Sequence, residues 1–277
     1  MKKKISLFIA VILILSSLVA GCGTKEEVNS EKNGSEVEDN SLEKIKKKGK
    51  LVLGTSADYP PFEFHTMVDG KDEIVGFDIE IAKYIADELG VELEIKDMEF
   101  DKLLGGLSTG MLDIVVAGMN PDPEREKEAN FTDIYYEANL SVLVNKEDAS
   151  QINKLEDLNG KSIGVQIGTT QEKFAKTEIK DADVKSLSTN PDIAMNLKTK
   201  KIDCAIMEAP VAESFASSND NLMVVEGVNI DSGSDGVAIA VKKGNDELTV
   251  KLNEILAEAK DKGLMDKWFI EADKQSN

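Results

Sequence analysis

The stretch "GFDIEIAKYIADELGVELEIKDM" (residues 76–98) changes periodicity part-way along. Ile79, Ala82, Ile85, Ala86 and Leu89 recur at the spacing of one helix face, with Asp78 placed as the N-cap. The following "ELEIKDM" reads as a strand. The same exchange of strand and helix runs outward in both directions. Upstream, "KLVLGTS" (50–56) is a β-rich run ending in Gly. Downstream, "FDKLLGGLSTGML" opens a helix, "DIVVAGM" and "SVLVNK" are strands, and "GKSIGVQIG" is a strand that gives way to the helix "TTQEKFAKT". "PDIAMNLKTKK" and "APVAESFASS" are helices on either side of the strand "IDCAIME", and "GVAIAVKKG" is a strand before one long terminal helix, "DELTVKLNEILAEAKDKGLMDKWF". Strands alternating with helices predict an α/β protein with mainly parallel sheets. No repeat of short period is visible, and the pattern divides into two successive blocks of about 100 residues each.

Composition narrows the function. The chain has 277 residues, 52 acidic against 33 basic, and a formal charge of −19. An acidic, aromatic-poor chain repels a phosphate backbone, which argues against nucleic-acid binding. The N-terminus reads as a targeting segment: "MKKK" is a positive start and "ISLFIAVILILSSLV" a short apolar core. That core is shorter than the roughly 20 residues that a membrane span needs. After it, "LVAGC" places small residues directly before Cys22 and resembles a bacterial lipobox, which implies cleavage after residue 21 and lipid on Cys22. Residues 22–43 hold many charges and almost no large apolar groups and read as a flexible tether. The other cysteine, Cys204, sits in the apolar run "IDCAIM" and reads as a small buried hydrophobe.

Six segments carry a family resemblance when taken in order: "GTSADYPPFEF", "GFDIEIAKYIADELG", "GMNPDPEREKEANFTDIYY", "GKSIGVQIGTTQE", "IDCAIMEAPVA" and "GVAIAVKKGN". Together they resemble bacterial extracellular solute-binding proteins of family 3, the polar-amino-acid subunits of ABC importers. The resemblance covers residues 44–270. It implies a type II periplasmic-binding-protein-like fold with two lobes joined by two crossover strands and closing like a hinge. Lobe 1 is expected to hold 44–139 and 236–277, lobe 2 to hold 140–235, with crossings near 137–142 and 233–238. It further implies a monomer, held by lipid at the outer face of the cell membrane, that hands ligand to permease subunits driven by a separate cytoplasmic ATPase.

A free amino acid brings two charges that lose water when a cleft closes, and each needs a partner. Arg125 is the only arginine among 33 basic residues. Its planar fork matches a carboxylate bidentately and Lys does not copy it; the resemblance places it on the ligand carboxylate. A solvated Glu-Arg-Glu-Lys cluster is the bland alternative. Thr169 and Thr170 open a helix after a Gly, where free N–H groups favour an anion, and Thr169 with Glu172 also reads as a capping box. The resemblance assigns the ammonium to Glu208, with the Gly118 carbonyl and Asn120, and the ligand side chain to Tyr59 and Phe100. Two flat rings suit a long chain or a cation. Ser56 stands where basic amino-acid binders often carry Asp; Asp58 either supplies that charge or faces solvent. Gln166 also lies within reach of the pocket, and Asp78 reads as a helix cap rather than a contact. The balance favours arginine or lysine. The single His65 rules out a His-based metal site or Ser-His-Asp triad, and neither cofactor nor catalytic residue is expected. Two other functions fit the same chain: a cyclohexadienyl dehydratase-like enzyme, and a sensing lipoprotein without a transporter.

Overall fold

The computed structural model describes residues 39–137, 139–228, 230, 233 and 235–276. The targeting segment, the lipobox with Cys22, and the tether as far as residue 38 lie outside them. The first described helix, α1 (Ser41–Lys48), starts inside the stretch read as tether to residue 43. Its buried Leu42 and Ile45 join the core, and that burial offsets the ordering cost that the charges alone would not.

The chain then lays down β1 (Lys50–Thr55) and a three-stranded antiparallel sheet: β2 (Asp58–Tyr59), β3 (Glu63–Val68) and β4 (Lys71–Val75). The sequence reading missed this sheet. Its signal was present in Asp69-Gly70, both at positive φ, the hairpin turn that Asp-Gly favours. Next come α2 (Phe77–Leu89), β5 (Glu92–Asp97), a 3-10 turn at Phe100–Lys102 that leads into α3 (Leu103–Ser108), β6 (Ile114–Val115), the single turn α4 (Arg125–Glu128) and β7 (Ala129–Phe131). The second lobe is built from β8 (Leu140–Asn145), β9 (Ser162–Gln166), α5 (Thr170–Thr177), β10 (Asp183–Leu187), α6 (Asn190–Lys198), β11 (Cys204–Glu208), α7 (Ala209–Ser217) and β12 (Leu222–Val224). The chain returns as β13 (Ala240–Lys242), α8 (Asp246–Asp261) and α9 (Leu264–Ser276).

Two five-stranded sheets result, β5-β1-β6-β13-β7 and β10-β9-β11-β8-β12. They correct the expectation of mainly parallel sheets, because each has two parallel and two antiparallel pairings. Strands that follow a helical crossover within a lobe run parallel, whereas β8 and β13 arrive from the other lobe and pair antiparallel. The crossing segments themselves meet in the isolated antiparallel bridges Tyr136–Val237 and Leu140–Ile230.

The expected long terminal helix is two helices, because Gly263 turns into the left-handed region (φ +67) between α8 and α9. The break lets α9 lie against α2, with the Trp268 ring 5.4 Å from Tyr84. Phe269 packs on Phe77 and Tyr136, with ring centroids 5.4 and 4.6 Å away. Phe62 closes that cluster and seats the hairpin that carries Tyr59. Cys204 is buried in β11, and burial pushes its thiol up to about 12, so it is an inert core residue. Among the described residues no helix is long and apolar enough to cross a membrane.

Candidate functional site

Loops at the strand ends of the two sheets face each other and close on an inner cavity of about 10 Å³, room for a single water, beside a wider cleft mouth of about 700 Å³. Ser56, Asp58, Tyr59, Phe100, Gly118, Asn120 and Thr169, all singled out from sequence, line this one cavity together with Gln166. Glu63, Ala117 and Gln171 line it too, and sequence reasoning did not select them. Nothing in "PPFEF" (60–64) marked Glu63: alternation puts it on the face opposite to Phe64, and only the packing of β3 buries both.

Arg125 is only 8% exposed at the start of α4. It lies on the outer side of the Phe100–Thr169 wall, in the wider cleft mouth rather than among the inner cavity's lining residues. Its Nη1 donates to the Asn120 carbonyl of its own lobe, and its Nη2 donates 2.8 Å across the cleft to the Gly168 carbonyl. The guanidinium stands 5.3 Å from the centre of the Phe100 ring. Burial pulls its pKa below the ordinary arginine value, opposed by the charges of Asp122 and Glu208. Asp122 fixes the turn: its Oδ1 accepts from the Glu124 and Arg125 N–H groups.

Across the cleft, Thr169 is the N-cap of α5; its hydroxyl accepts from Glu172 N at 3.1 Å and donates to the Gln166 carbonyl at 2.7 Å. Glu172 in turn accepts from Gly168 N at 2.7 Å. Thr170 donates to Asn120 Oδ1 at 3.1 Å, and so ties the start of α5 to the first lobe. Asn120 Nδ2 donates to Glu208 Oε1 at 2.9 Å and to the Gly236 carbonyl at 3.1 Å. Glu208, at the end of β11, is fully buried, and among the described residues its Oε2 has no hydrogen-bond partner. Burial, eased by the Asn120 hydrogen bond and raised again by Asp78, lifts it to about 7.

Tyr59 stacks on Phe62 at 5.8 Å, and its hydroxyl accepts at 3.4 Å from both Gln171 Nε2 and Glu208 N. Gly118 sits at φ +50 against this ring; a Cβ there would approach it to 2.9 Å. Ser56 is buried and its carbonyl accepts from Asp58 N at 2.7 Å. The Asp58 carboxylate turns towards the second lobe, where it accepts from Asn190 N at 3.0 Å, Asn190 Nδ2 at 3.2 Å and Gln166 Nε2 at 3.3 Å. It therefore sits on the positive N-terminal end of α6. Asp78 is not the helix cap expected from sequence. Gly76 holds that position at φ +129, where a Cβ would strike the Phe62 carbonyl. Asp78 lies fully buried inside α2, and its Oδ2 accepts from Gly118 N at 2.8 Å and from the Tyr135 hydroxyl at 2.7 Å.

The site thus offers a buried planar cation, a helix N-terminus, two aromatic rings and several carboxyls within one closing cleft. Among the described residues no group of His, Cys, Asp and Glu is arranged to hold a metal ion. A family model described as "Bacterial extracellular solute-binding proteins, family 3" matches residues 51–271. The arginine-binding extracellular protein ArtP of Bacillus subtilis is 42% identical over 228 residues, 80% of this chain and 87% of that protein. Among solved structures, the amino acid ABC transporter substrate-binding protein AbpA of Streptococcus pneumoniae, bound to L-arginine, superposes with a TM-score of 0.82 at 38% identity, covering 84% of this chain and 98% of that one. An ancestral amino acid-binding protein, AncCDT-1, described as a precursor of cyclohexadienyl dehydratase, gives 0.75 at 35% identity over 83% and 99% of the two chains. With the model spanning nearly the whole folded chain and the relatives sharing its two lobes, the chain belongs to the bacterial extracellular solute-binding proteins of family 3.

Proposed function

We propose that this chain captures a basic amino acid, arginine in first place, at the outer face of the cell membrane and delivers it to the permease subunits of an ABC importer. The observation that carries the reading is the buried guanidinium of Arg125, which reaches from Asn120 to Gly168 across the cleft while the buried Glu208 stands on the other side of Asn120. That pair of opposite charges matches a zwitterion: two of the five Arg125 donors are engaged, the rest are left for a carboxylate, and Glu208 Oε2 is left for an ammonium. Tyr59 and Phe100 then flank the side chain. The names of the relatives support arginine as the ligand. In this reading the lobes, 44–139 with 236–277 and 140–235, close about the two crossing segments. Residues 1–21 are removed, and lipid on Cys22 with the tether 22–43 holds the monomer at the membrane.

A thermal-shift screen of the twenty amino acids with ornithine and cystine tests this. Arginine gives the largest rise in Tm, with lysine and ornithine behind it; no shift with any amino acid overturns the reading. The second reading, a dehydratase, draws on Glu208, a buried acid held to about 7 and so able to carry a proton, and on the dehydratase-precursor relative. Turnover of prephenate or arogenate would establish it.

A further inference from the structure

The chain is acidic as a whole, with a formal charge of −19, yet residues 40–50, "NSLEKIKKKGK", hold five Lys and one Glu, a local charge of 5 − 1 = +4. That charge sits on the outside of α1. Leu42 and Ile45 are buried against the core, while Glu43, Lys44, Lys46, Lys47 and Lys48 are exposed. Lys44, Lys47 and Lys48 follow the i, i+3, i+4 spacing and so share one side of the helix. The acidic groups nearby are taken. Lys48 Nζ donates to Asp113 at 2.9 Å, Lys50 Nζ donates to Glu94 at 2.8 Å, and Asp39 accepts from the Ser41 and Glu247 N–H groups. Among the described residues Lys44, Lys46 and Lys47 form no salt bridge. An exposed apolar side chain borders them: Met111, 52% exposed, lies two residues before the Asp113 that Lys48 holds.

This face stands at the far end of the first lobe from the cleft. β1 begins at Lys50, directly after α1, and ends at Thr55 beside the cavity residue Ser56; its length is about 17 Å. The covalent chain ties the same face to Cys22, because residues 22–39 reach at most about 60 Å when fully extended. We propose that the lysine face of α1 docks on an anionic lipid surface, with the headgroup phosphates as its partner. The chain held through Cys22 then stands with the base of its first lobe on the bilayer and its cleft turned away from it. The proposal rests on the lipid anchor in the reading above. Each ammonium near the surface is attracted by anionic headgroups, and salt screens the attraction. The anchor supplies the affinity, so the three lysines need only choose an orientation within a molecule already tethered. The rest of the chain is net negative and is repelled by the same headgroups, which favours this face over others.

The two lobes and their cores lie within residues 39–276, so the chain from Cys22 onward serves for the test. It is coupled through Cys22 to a maleimide lipid in vesicles, Cys204 being buried and unreactive. Vesicles of phosphatidylcholine are compared with vesicles rich in phosphatidylglycerol, and acetylation of each lysine is followed by mass spectrometry. On the anionic vesicles Lys44, Lys46 and Lys47 are expected to react about fivefold more slowly than on the neutral ones. Lys185 and Lys198, exposed on the second lobe, keep their rates, and high salt abolishes the difference. Lys46→Glu combined with Lys47→Glu removes the protection of Lys44 and leaves the circular-dichroism spectrum unchanged. Equal rates on the two kinds of vesicle overturn the proposal, as when the acidic residues 23–38 cover the helix instead. Protection by dissolved polyphosphate with none on anionic vesicles also overturns it, in favour of a soluble or wall-type polyanion. The coupling supplies the anchor, so a chain that binds no amino acid would overturn the transport reading and leave this result standing. The mass of the native N-terminal peptide checks the anchor itself, and a Cys22 without lipid overturns the proposal.

Discussion

Arg125 shows how much one side chain settles. In a chain whose other basic residues are all Lys, a guanidinium is used where two acceptors from opposite lobes must be held at once, the carbonyls of Asn120 and Gly168. An ammonium on a flexible stem has donors but no fixed fork to span that pair and a ligand carboxylate together. Arg125→Lys is therefore expected to weaken arginine binding by about a hundredfold, in line with the 2–5 kcal/mol lost when one partner of a buried charge pair is truncated. Titration calorimetry measures it, and an unchanged circular-dichroism spectrum and Tm separate the effect from misfolding. The residue choice was legible in sequence. What was not legible is that two of its donors are already in use, and that Arg125 stands in the cleft mouth rather than in the inner cavity.

Elements place these side chains, and their ends matter more than their middles. The start of α5 is the clearest case: Thr169 caps it, Glu172 reaches back to Gly168 N, and the Gly168 carbonyl is thereby presented to Arg125. Thr169→Ala removes the cap acceptor and is expected to cost about 1 kcal/mol of folding stability, while Thr169→Ser costs little. Urea unfolding of the two variants measures the difference; equal stabilities would show the hydroxyl is not capping. The helix α2 teaches the opposite lesson. Its apolar face was plain from spacing, yet Asp78 lies one residue inside the helix and points into the core, with Gly76 at the cap. A strong cap former within a residue of the boundary is read as the cap by default, and only the packing of Phe62 against Gly76 excludes it.

At the scale of the whole molecule the cleft is closed by polar contacts between lobes, of unequal worth. Lys173 and Glu124 meet at 3.3 Å with both side chains largely exposed, a pair worth ~0–1 kcal/mol. Asp58 is shielded and receives three donors from the second lobe, so it is the stronger fastening. Burial raises its pKa, which the Asn190 and Gln166 donors oppose. Asp58→Ala is expected to open the ligand-free molecule, seen as a larger radius of gyration in small-angle scattering, and to weaken arginine about tenfold because less of the chain is in the closed state. An unchanged radius would show that other contacts hold the lobes. The sequence by itself determined the alternation of strand and helix, the two-block plan and the residue types from which the proposed zwitterion site is drawn, because periodicity and turn chemistry are local. Only the tertiary structure decided which carboxylates share a buried space, and so whether Asp58 meets solvent, whether Asp78 caps a helix, and that Glu63 faces the cavity. Desolvation and like-charge proximity depend on distances between β3, α2 and β11, and no local pattern along the chain records them.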